Sequence, residues 1–355
     1  GESSRNSDQF EQNFTDPDES FRNIQRTFTN DSTTAAVNLS LNYQDRHKIG
    51  TNSYLLRDDE DQSSIVLGYN ADFQQANGRQ RKTNITRLEK RELKVNQVTG
   101  EHTFERYDLD FITIPAVFDF ITSLDVNWFY SDARASTEVP NASSVQAINQ
   151  RDPGTGALLA TQVNTGASAQ FSFLNLEDQV ESWGYQIDAP FDLGFTNGTL
   201  SGGYNRSRKT RDYQGYTANI VMGADGRNGN PAQVFSNDNL SDLSNGFFLD
   251  MGSNFGTESY LAGETKAAAF GSVDAFFMDN WRATVGVRWE DFNRGVLPLD
   301  LLDYTGQSLN GIIADMQDPD QTFTVRDDDF YPAAALTYMQ DGFLGTENFQ
   351  VRLGY

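Results

Sequence analysis

The chain has 355 residues, 37% of them apolar, no cysteine, and fifty acidic against twenty-seven basic residues for a net charge of −23. That charge excludes nucleic acid as a partner, because phosphate binding needs a cationic surface. The missing cysteines exclude disulfides and thiol chemistry, and no stretch approaches the ~18–20 apolar residues of a membrane helix.

The amino-terminal residues GESSRNSDQFEQNF have neither the basic start nor the apolar core of a signal peptide. They suit a mature, trimmed chain or an internal fragment, and residues 1–32 read as an outer loop or leading segment. From Val37 the sequence alternates: Val37, Leu39, Leu41 and Tyr43 interleave with Asn38, Ser40 and Asn42. Side chains of a strand point alternately to opposite faces, so this is a strand with one apolar and one polar side. A short connection from Gln44 to His47 leads into a strand over 48–57, and a third is expected from Leu88 to Phe104. A fourth runs from about Thr122 to Arg134, with Leu124, Val126, Trp128 and Tyr130 on its apolar side.

The longest alternation covers Ser182 to Thr196. Trp183, Tyr185, Ile187, Ala189, Phe191, Leu193 and Phe195 take one side; Asp188 and Asp192 lie on the other. Soluble strands cluster at about 5–6 residues, whereas a tilted bilayer-crossing strand needs about 9–11. Pro190 interrupts this strand and calls for a bulge. The Asn-Gly pair at Asn197 is a strong hairpin signal, placing a turn from Asn197 to Thr199. Strands over 264–278 and 282–294 flank a turn from Met278 to Trp281, and a last pair over 328–340 and 348–355 flanks Asp341 to Glu347.

Between these pairs lie long stretches rich in Asn, Asp, Gly and Ser: Asp58 to Thr83, Ala135 to Glu181, Asp212 to Gly263 and Gly295 to Arg326. They read as loops, and short turns alternating with long loops are the habit of outer-membrane barrels. Ser63 to Gln75 is assigned to a loop; the apolar segment from Asp108 to Phe120 is too long for a minimal turn. About ten to twelve strands result: an all-β, antiparallel, up-and-down transmembrane barrel, here partial, with residues 1–355 all in one domain. Arg288 and Arg352 on the polar faces, where Glu290 also falls, set the orientation, since a mid-bilayer arginine toward lipid costs roughly 2–4 kcal/mol. Those residues, with Asp188 and Asp192, are expected to line the lumen. Trp128, Trp183, Tyr185, Phe191, Phe195 and Trp289 are expected to face lipid and form aromatic girdles.

Side-chain chemistry has little material. His47 and His102 are the two histidines, no HExxH, GxSxG or P-loop occurs, and both histidines read as structural. An enzyme and a cofactor are not expected. Asp58 to Asp61 and Asp327 to Asp329 are acidic enough to attract calcium but lack the spacing of a calcium loop, so they read as solvated loop charge. The sequons at Asn38, Asn84 and Asn197 read as by-products of composition. Loop aromatics such as Phe247, Phe248, Phe255 and Tyr260 either touch a ligand or pack the loops.

The hairpin ETKAAAFGSVDAFFMDNWRATVGVRWEDF at residues 264–292 resembles the barrel hairpins of TonB-dependent outer-membrane receptors. A Glu-bearing strand, an Asp-x-Trp-Arg turn and a Gly-x-Arg-x-Glu strand follow one another there. DDDFYPAAALTYMQD with NFQVRLGY, and the segments from Asn38 and Leu124, are similar to other hairpins of that family. The resemblance implies a transporter wall in the outer membrane, importing a scarce nutrient such as a siderophore or glycan. It implies as partners outer-membrane lipid, a small-molecule or oligosaccharide ligand, and the TonB complex acting through a plug not visible in this chain. It also implies that the barrel continues past Tyr355, so that two sheet edges would be exposed. A passive porin and a soluble β-sandwich adhesin or glycan-binding module are the alternatives.

Overall fold

A computed structural model describes residues 1–12, 21–106, 120–164, 169–223, 227–250, 259–299, 324–342 and 347–355. Its strands are β1 Glu2–Gln12, β2 Phe21–Tyr43, β3 His47–Tyr69, β4 Arg79–Glu105, β5 Ser123–Arg151, β6 Leu158–Val163 and β7 Ala169–Asp192. They continue with β8 Thr196–Val221, β9 Phe248–Asp250, β10 Ser259–Phe277, β11 Trp281–Leu299, β12 Thr324–Asp341 and β13 Asn348–Gly354. Two short helices, α1 Pro231–Val234 and α2 Asn237–Ser241, lie between β8 and β9. All strands belong to one antiparallel sheet in the order β1-β2-β3-β4-β5-β7-β8-β10-β11-β12-β13, with β6 added to β5 and β9 to β8. This is an all-β, up-and-down, barrel-like architecture. The described strands form a single sheet.

Residues 1–32, expected as a loop or leading segment, contain β1 and the first half of β2 in register, from Glu2↔Asp31 to Gln12↔Phe21. Two of the expected long loops are also largely strand. β3 runs on through Asp58 to Tyr69 and absorbs most of Ser63 to Gln75; β5 extends to Arg151 and β7 begins at Ala169. At 18–29 residues, the central strands exceed what a bilayer needs. Most of Asp108 to Phe120, most of Gly295 to Arg326, and Phe255 lie outside the described residues.

Two turns fall where expected. Gln44 and Asp45 take positive φ between β2 and β3, as do Met278 and Asp279 between β10 and β11. The Asn-Gly expectation fails: Asn197 and Gly198 pair with Asp192 and Phe191, and the chain reverses at Leu193 to Phe195, where Gly194 has φ +81°. Asp192 Oδ1 accepts from the Gly194 N–H at 2.7 Å, an Asx-type contact that fixes the earlier turn. Pro190 keeps an unbroken register with β8. On the β5 side the register slips between Asp125↔Asp188 and Ile121↔Phe191, so the ring sits where that ladder has already loosened. Pro140 lies within the register breaks that β5 makes with both β4 and β7.

Directly opposed residues share a face, so register sorts the side chains. Leu41, Ile49, Gly100, Trp128, Tyr185, Tyr204, Ala269, Trp289 and Phe330 follow one another across nine strands. Toward the short turns the same face carries Tyr43, Val126, Ile187, Leu200, Val273, Val285 and Leu336, ending in a second aromatic row at Phe277, Trp281 and Tyr338. Many of these are exposed: Leu39 63%, Leu41 69%, Val285 57% and Leu353 69%. A water-soluble protein would bury such a face.

The turns also descend along the sheet. The row of Tyr43, the last pair before its turn, reaches Pro332, still about nine residues above the last β12–β13 pair at Asp341. Nine residues at ~3.4 Å each over about eight inter-strand steps of ~4.8 Å correspond to a strand tilt of ~40°, the tilt of a barrel wall. With that tilt Trp281 and Trp289 on β11 stand roughly 20 Å apart along the barrel axis, close to the ~25 Å apolar band of an outer-membrane barrel.

Candidate functional site

The opposite face is polar, and its residues answer one another across strands. The row Asn42, Lys48, Glu101, Asn127, Gln186, Gly203, Phe270, Arg288 shares it with Asp125, Asp188, Ser201 and Ser272 one step nearer the turns. Asp188 accepts from the Ser201 hydroxyl at 2.5 Å and from Gln186 Nε2 at 2.9 Å, while Asp125 accepts from Thr103 at 2.6 Å. Arg288 Nε donates to Glu290 at 2.6 Å, and Lys266 approaches the other oxygen of that carboxylate at 3.2 Å. Arg282 meets Asp274, and Arg352 lies in their zone through Thr337.

All the residues expected to line a lumen, Asp188, Asp192, Arg288, Glu290 and Arg352, thus occupy one face. Trp128, Trp183, Tyr185, Phe191 and Trp289 occupy the other; Phe195 stands in the β7–β8 turn, 79% exposed. His47 and His102 fall on the apolar face, where their rings lie 5.5 Å apart and His102 is 6.4 Å from Trp128.

On the polar face Phe129 lies over Gly184 and Phe270 over Gly203, each opposite its glycine in the register. A β-carbon on Gly203 would stand 2.6 Å from the Phe270 ring, so the glycine is what lets the ring lie flat on the sheet. Between the two rings is a shallow recess of ≈ 370 Å³ edged by Glu101, Asn127, Gln186 and Asn205. Flat rings beside amides and one carboxylate can stack and hydrogen-bond a polar solute; they offer no nucleophile paired with a base.

On the long-loop side, beyond the apolar band, both faces carry charge. Asp58 to Asp61, expected in a loop, sit within β3, where Asp59 takes Arg57 at 2.8 Å and Asp58 is 3.9 Å from Arg91. Glu89, at a register break, is enclosed by Arg87 at 2.6 Å and by Arg91. Burial alone would raise its carboxyl, but hydrogen bonds from the two guanidiniums outweigh it and hold it below the usual range. Asp178 is likewise lowered, chiefly by Arg211, which donates to it at 2.7 and 2.6 Å. Asp327 to Asp329 lie in β12, with Asp328 accepting from the Trp289 indole. Among the described residues no cluster of three or more acidic or histidine side chains is arranged to hold a metal.

The outermost segments form a small core of their own. Val145, Val163, Ala169, Met222 and Val234 are buried together, with Phe171, Phe235 and Phe247 packed against them. Gln80 accepts from Asn149 at 3.2 Å and from Arg151 at 2.9 Å, and Asn149 accepts from Thr161 at 2.9 Å. The capping box of Asn230 and Gln233 starts α1, whose Val234 plugs the core. Phe248 is exposed on β9 and Tyr260 stacks on Tyr213 at 5.1 Å, so of the loop aromatics Phe247 packs the core and Phe248 faces outward.

No protein-family model and no curated protein matches the sequence. Among solved structures the chain is similar to the ferric citrate transporter FecA in its unliganded form, with 11% identity over 87% of this chain and 42% of FecA at a TM-score of 0.28. It is also similar to the siderophore receptor PiuA from Acinetobacter baumannii, with 9% identity over 99% of this chain and 48% of PiuA at a TM-score of 0.29. The chain spans less than half the length of either.

Proposed function

We propose that this chain is wall and outer-loop structure of an outer-membrane receptor that imports a scarce small molecule or oligosaccharide with energy delivered through TonB. One observation carries the reading: a continuous apolar face, flanked on β11 by Trp281 and Trp289, runs across strands tilted by ~40°. A face of that height and tilt suits contact with lipid, and the polar face opposite it then lines the lumen. The mechanism is capture rather than covalent chemistry. Outer segments, built on the Val163 core, are the first surface a solute meets, and the amides and flat rings of the polar wall supply weak, displaceable contacts along the way in. Movement past those contacts would be driven by a plug engaging TonB.

Transport by the protein in its full native chain tests this. It is expressed in a Gram-negative host that lacks its own receptors, and accumulation of radiolabelled ferric siderophores and oligosaccharides is compared with and without TonB. Accumulation of one solute that vanishes without TonB is expected. Accumulation indifferent to TonB makes the protein a passive pore, and recovery as a soluble monomer without detergent rejects the membrane reading altogether.

A further inference from the structure

The recess between Phe129 and Phe270 has a flat floor. Gly184 and Asn205 are directly opposed, so Gly203, two residues from Asn205, is a diagonal neighbour of Gly184, about 7–8 Å away. The rings over these two glycines therefore lie side by side, each with one face on the backbone and the other open. Both phenylalanines are half-buried. Gly184, Gly203 and Phe270 stand eight or nine residues along their strands from the turns at Leu193 to Phe195 and Met278 to Asp279. At ~3.4 Å per residue and a tilt of ~40° that is ~21–23 Å above the turns, near the long-loop end of a ~25 Å band.

The rim of the floor is polar and unsatisfied. Asn127 and Asn205 are exposed, and their amides make no hydrogen bond to any described residue. Gln186 donates through Nε2 to Asp188 at 2.9 Å, which leaves its amide oxygen without a donor among the described residues. Charge around the recess is negative. Glu101 holds Lys48 at 3.5 Å, and Arg288, which faces Phe270 across the register, is held by Glu290 at 2.6 Å. Asp125 and Asp188 lie one step nearer the turns on the same face. A solute with net negative charge would meet four carboxylates there, beside cations that carboxylates already engage.

We infer that the recess binds a neutral oligosaccharide, two of whose sugar rings lie on Phe129 and Phe270 while their hydroxyls meet Asn127, Asn205 and Glu101. One face of a pyranose ring is made of C–H groups, which suit the electron-rich face of an aromatic ring. Its hydroxyls radiate from the rim, where each both donates and accepts. A primary amide offers a donor and an acceptor side by side and so matches a pair of neighbouring hydroxyls. A flat apolar floor with a few convergent polar groups at its edge is the general form of a small-solute site. The inference rests on the outer-membrane reading, in which this face lines the lumen, and narrows the solute to one class.

The test is isothermal titration calorimetry on the full native chain purified in detergent, with cellohexaose, maltohexaose, xylohexaose and mannohexaose as neutral probes and ferric enterobactin as an anionic chelate. Binding of at least one hexasaccharide is expected. It should weaken at least about tenfold in F129A/F270A and about threefold in N127A/N205A, and stay within about threefold in F129Y/F270Y. G203A, which lifts the Phe270 ring from the sheet without removing it, should weaken the same sugar. Failure of the unaltered protein to bind any hexasaccharide overturns the inference, and this arm needs no variant to fold. Undiminished sugar binding by folded F129A/F270A overturns it too, as does ferric enterobactin binding that this double variant abolishes. Those results leave TonB-dependent uptake standing. Uptake indifferent to TonB, or recovery as a soluble monomer, sinks the outer-membrane reading, while the calorimetry still decides for or against the recess.

Discussion

The indole of Trp128 lies across Gly100, its partner in the β4–β5 register, and its Nε1–H donates to Nε2 of His102 at 3.1 Å. A β-carbon on Gly100 would run into the indole nitrogen, so G100A must push the ring off the sheet and break that bond. A loss of ~1–3 kcal/mol is expected, the range of overpacked sites. G271A, with nothing nearby, should be neutral or slightly stabilising. Urea midpoints in detergent micelles compare the two, and equal losses would refute this packing.

Val285 and Thr284 are chain neighbours on opposite faces, with Val285 midway between the aromatic rows. Introducing arginine at Val285 should cost ~2–4 kcal/mol in a bilayer, while T284R, on the polar face, should cost well under half of that. Unfolding in lipid vesicles measures both. Similar costs would mean that the apolar face does not meet lipid.

Glu89, held below the usual carboxyl range between Arg87 and Arg91, makes stability depend on pH. Its folded value is depressed, so its contribution is present above the unfolded value of ~4.3 and disappears as pH falls through the folded value. E89Q should lose ~1–2 kcal/mol at neutral pH, the scale of a charge-assisted bond. The gap from the unaltered protein should close on acidification below about pH 4. A constant gap across a titration of unfolding midpoints would contradict the assignment.

The β7–β8 reversal belongs to Gly194, at φ +81°, and not to the Asn-Gly pair. G194A should lose ~1 kcal/mol by forcing a β-carbon into the left-handed region, whereas N197A should change stability by less than ~0.5 kcal/mol. Reversed magnitudes would restore the Asn-Gly turn.

V163D puts a charge into a site with no exposure at the centre of the outer core. The expected outcome is rapid proteolysis between β5 and β8 while the wall from β10 to β12 stays protected, because the core lies beyond the band and shares few contacts with it. Loss of protection throughout would show that outer core and wall fold as one unit.

The wall was legible in the sequence wherever its two faces meet different surroundings. Val37 to Tyr43, Trp183 to Phe195 and Trp281 to Trp289 alternate because one side is apolar and the other polar, and their assignment to opposite faces agrees with the register. The outer halves of β3, β5 and β7 were not legible. Where both faces carry charge, as around Asp58 to Asp61 and Arg57, hydrophobicity has no period, and a strand looks like a loop. Val145, Ala147 and Asn149 do alternate in burial, at 5%, 0% and 4%, but one of the three is polar, so a hydrophobic pattern misses them. The recess was hidden for another reason: Phe129 and Phe270 break the polar pattern, and only the register brings each over its glycine.

The descent of the turns also sets how fast such a wall opens a bore. At ~40° each strand occupies ~6 Å of circumference rather than ~4.8 Å, so every strand adds about 2 Å to the diameter of the closed cylinder. Eleven such strands would enclose roughly 22 Å between backbones, much of it taken up by side chains, and twice that number would enclose roughly 44 Å, wide enough for a folded domain. What a cylinder closed from such strands could hold is therefore a matter of strand number at fixed tilt, and the tilt is written in where Asp45, Gly194 and Asp279 turn the chain.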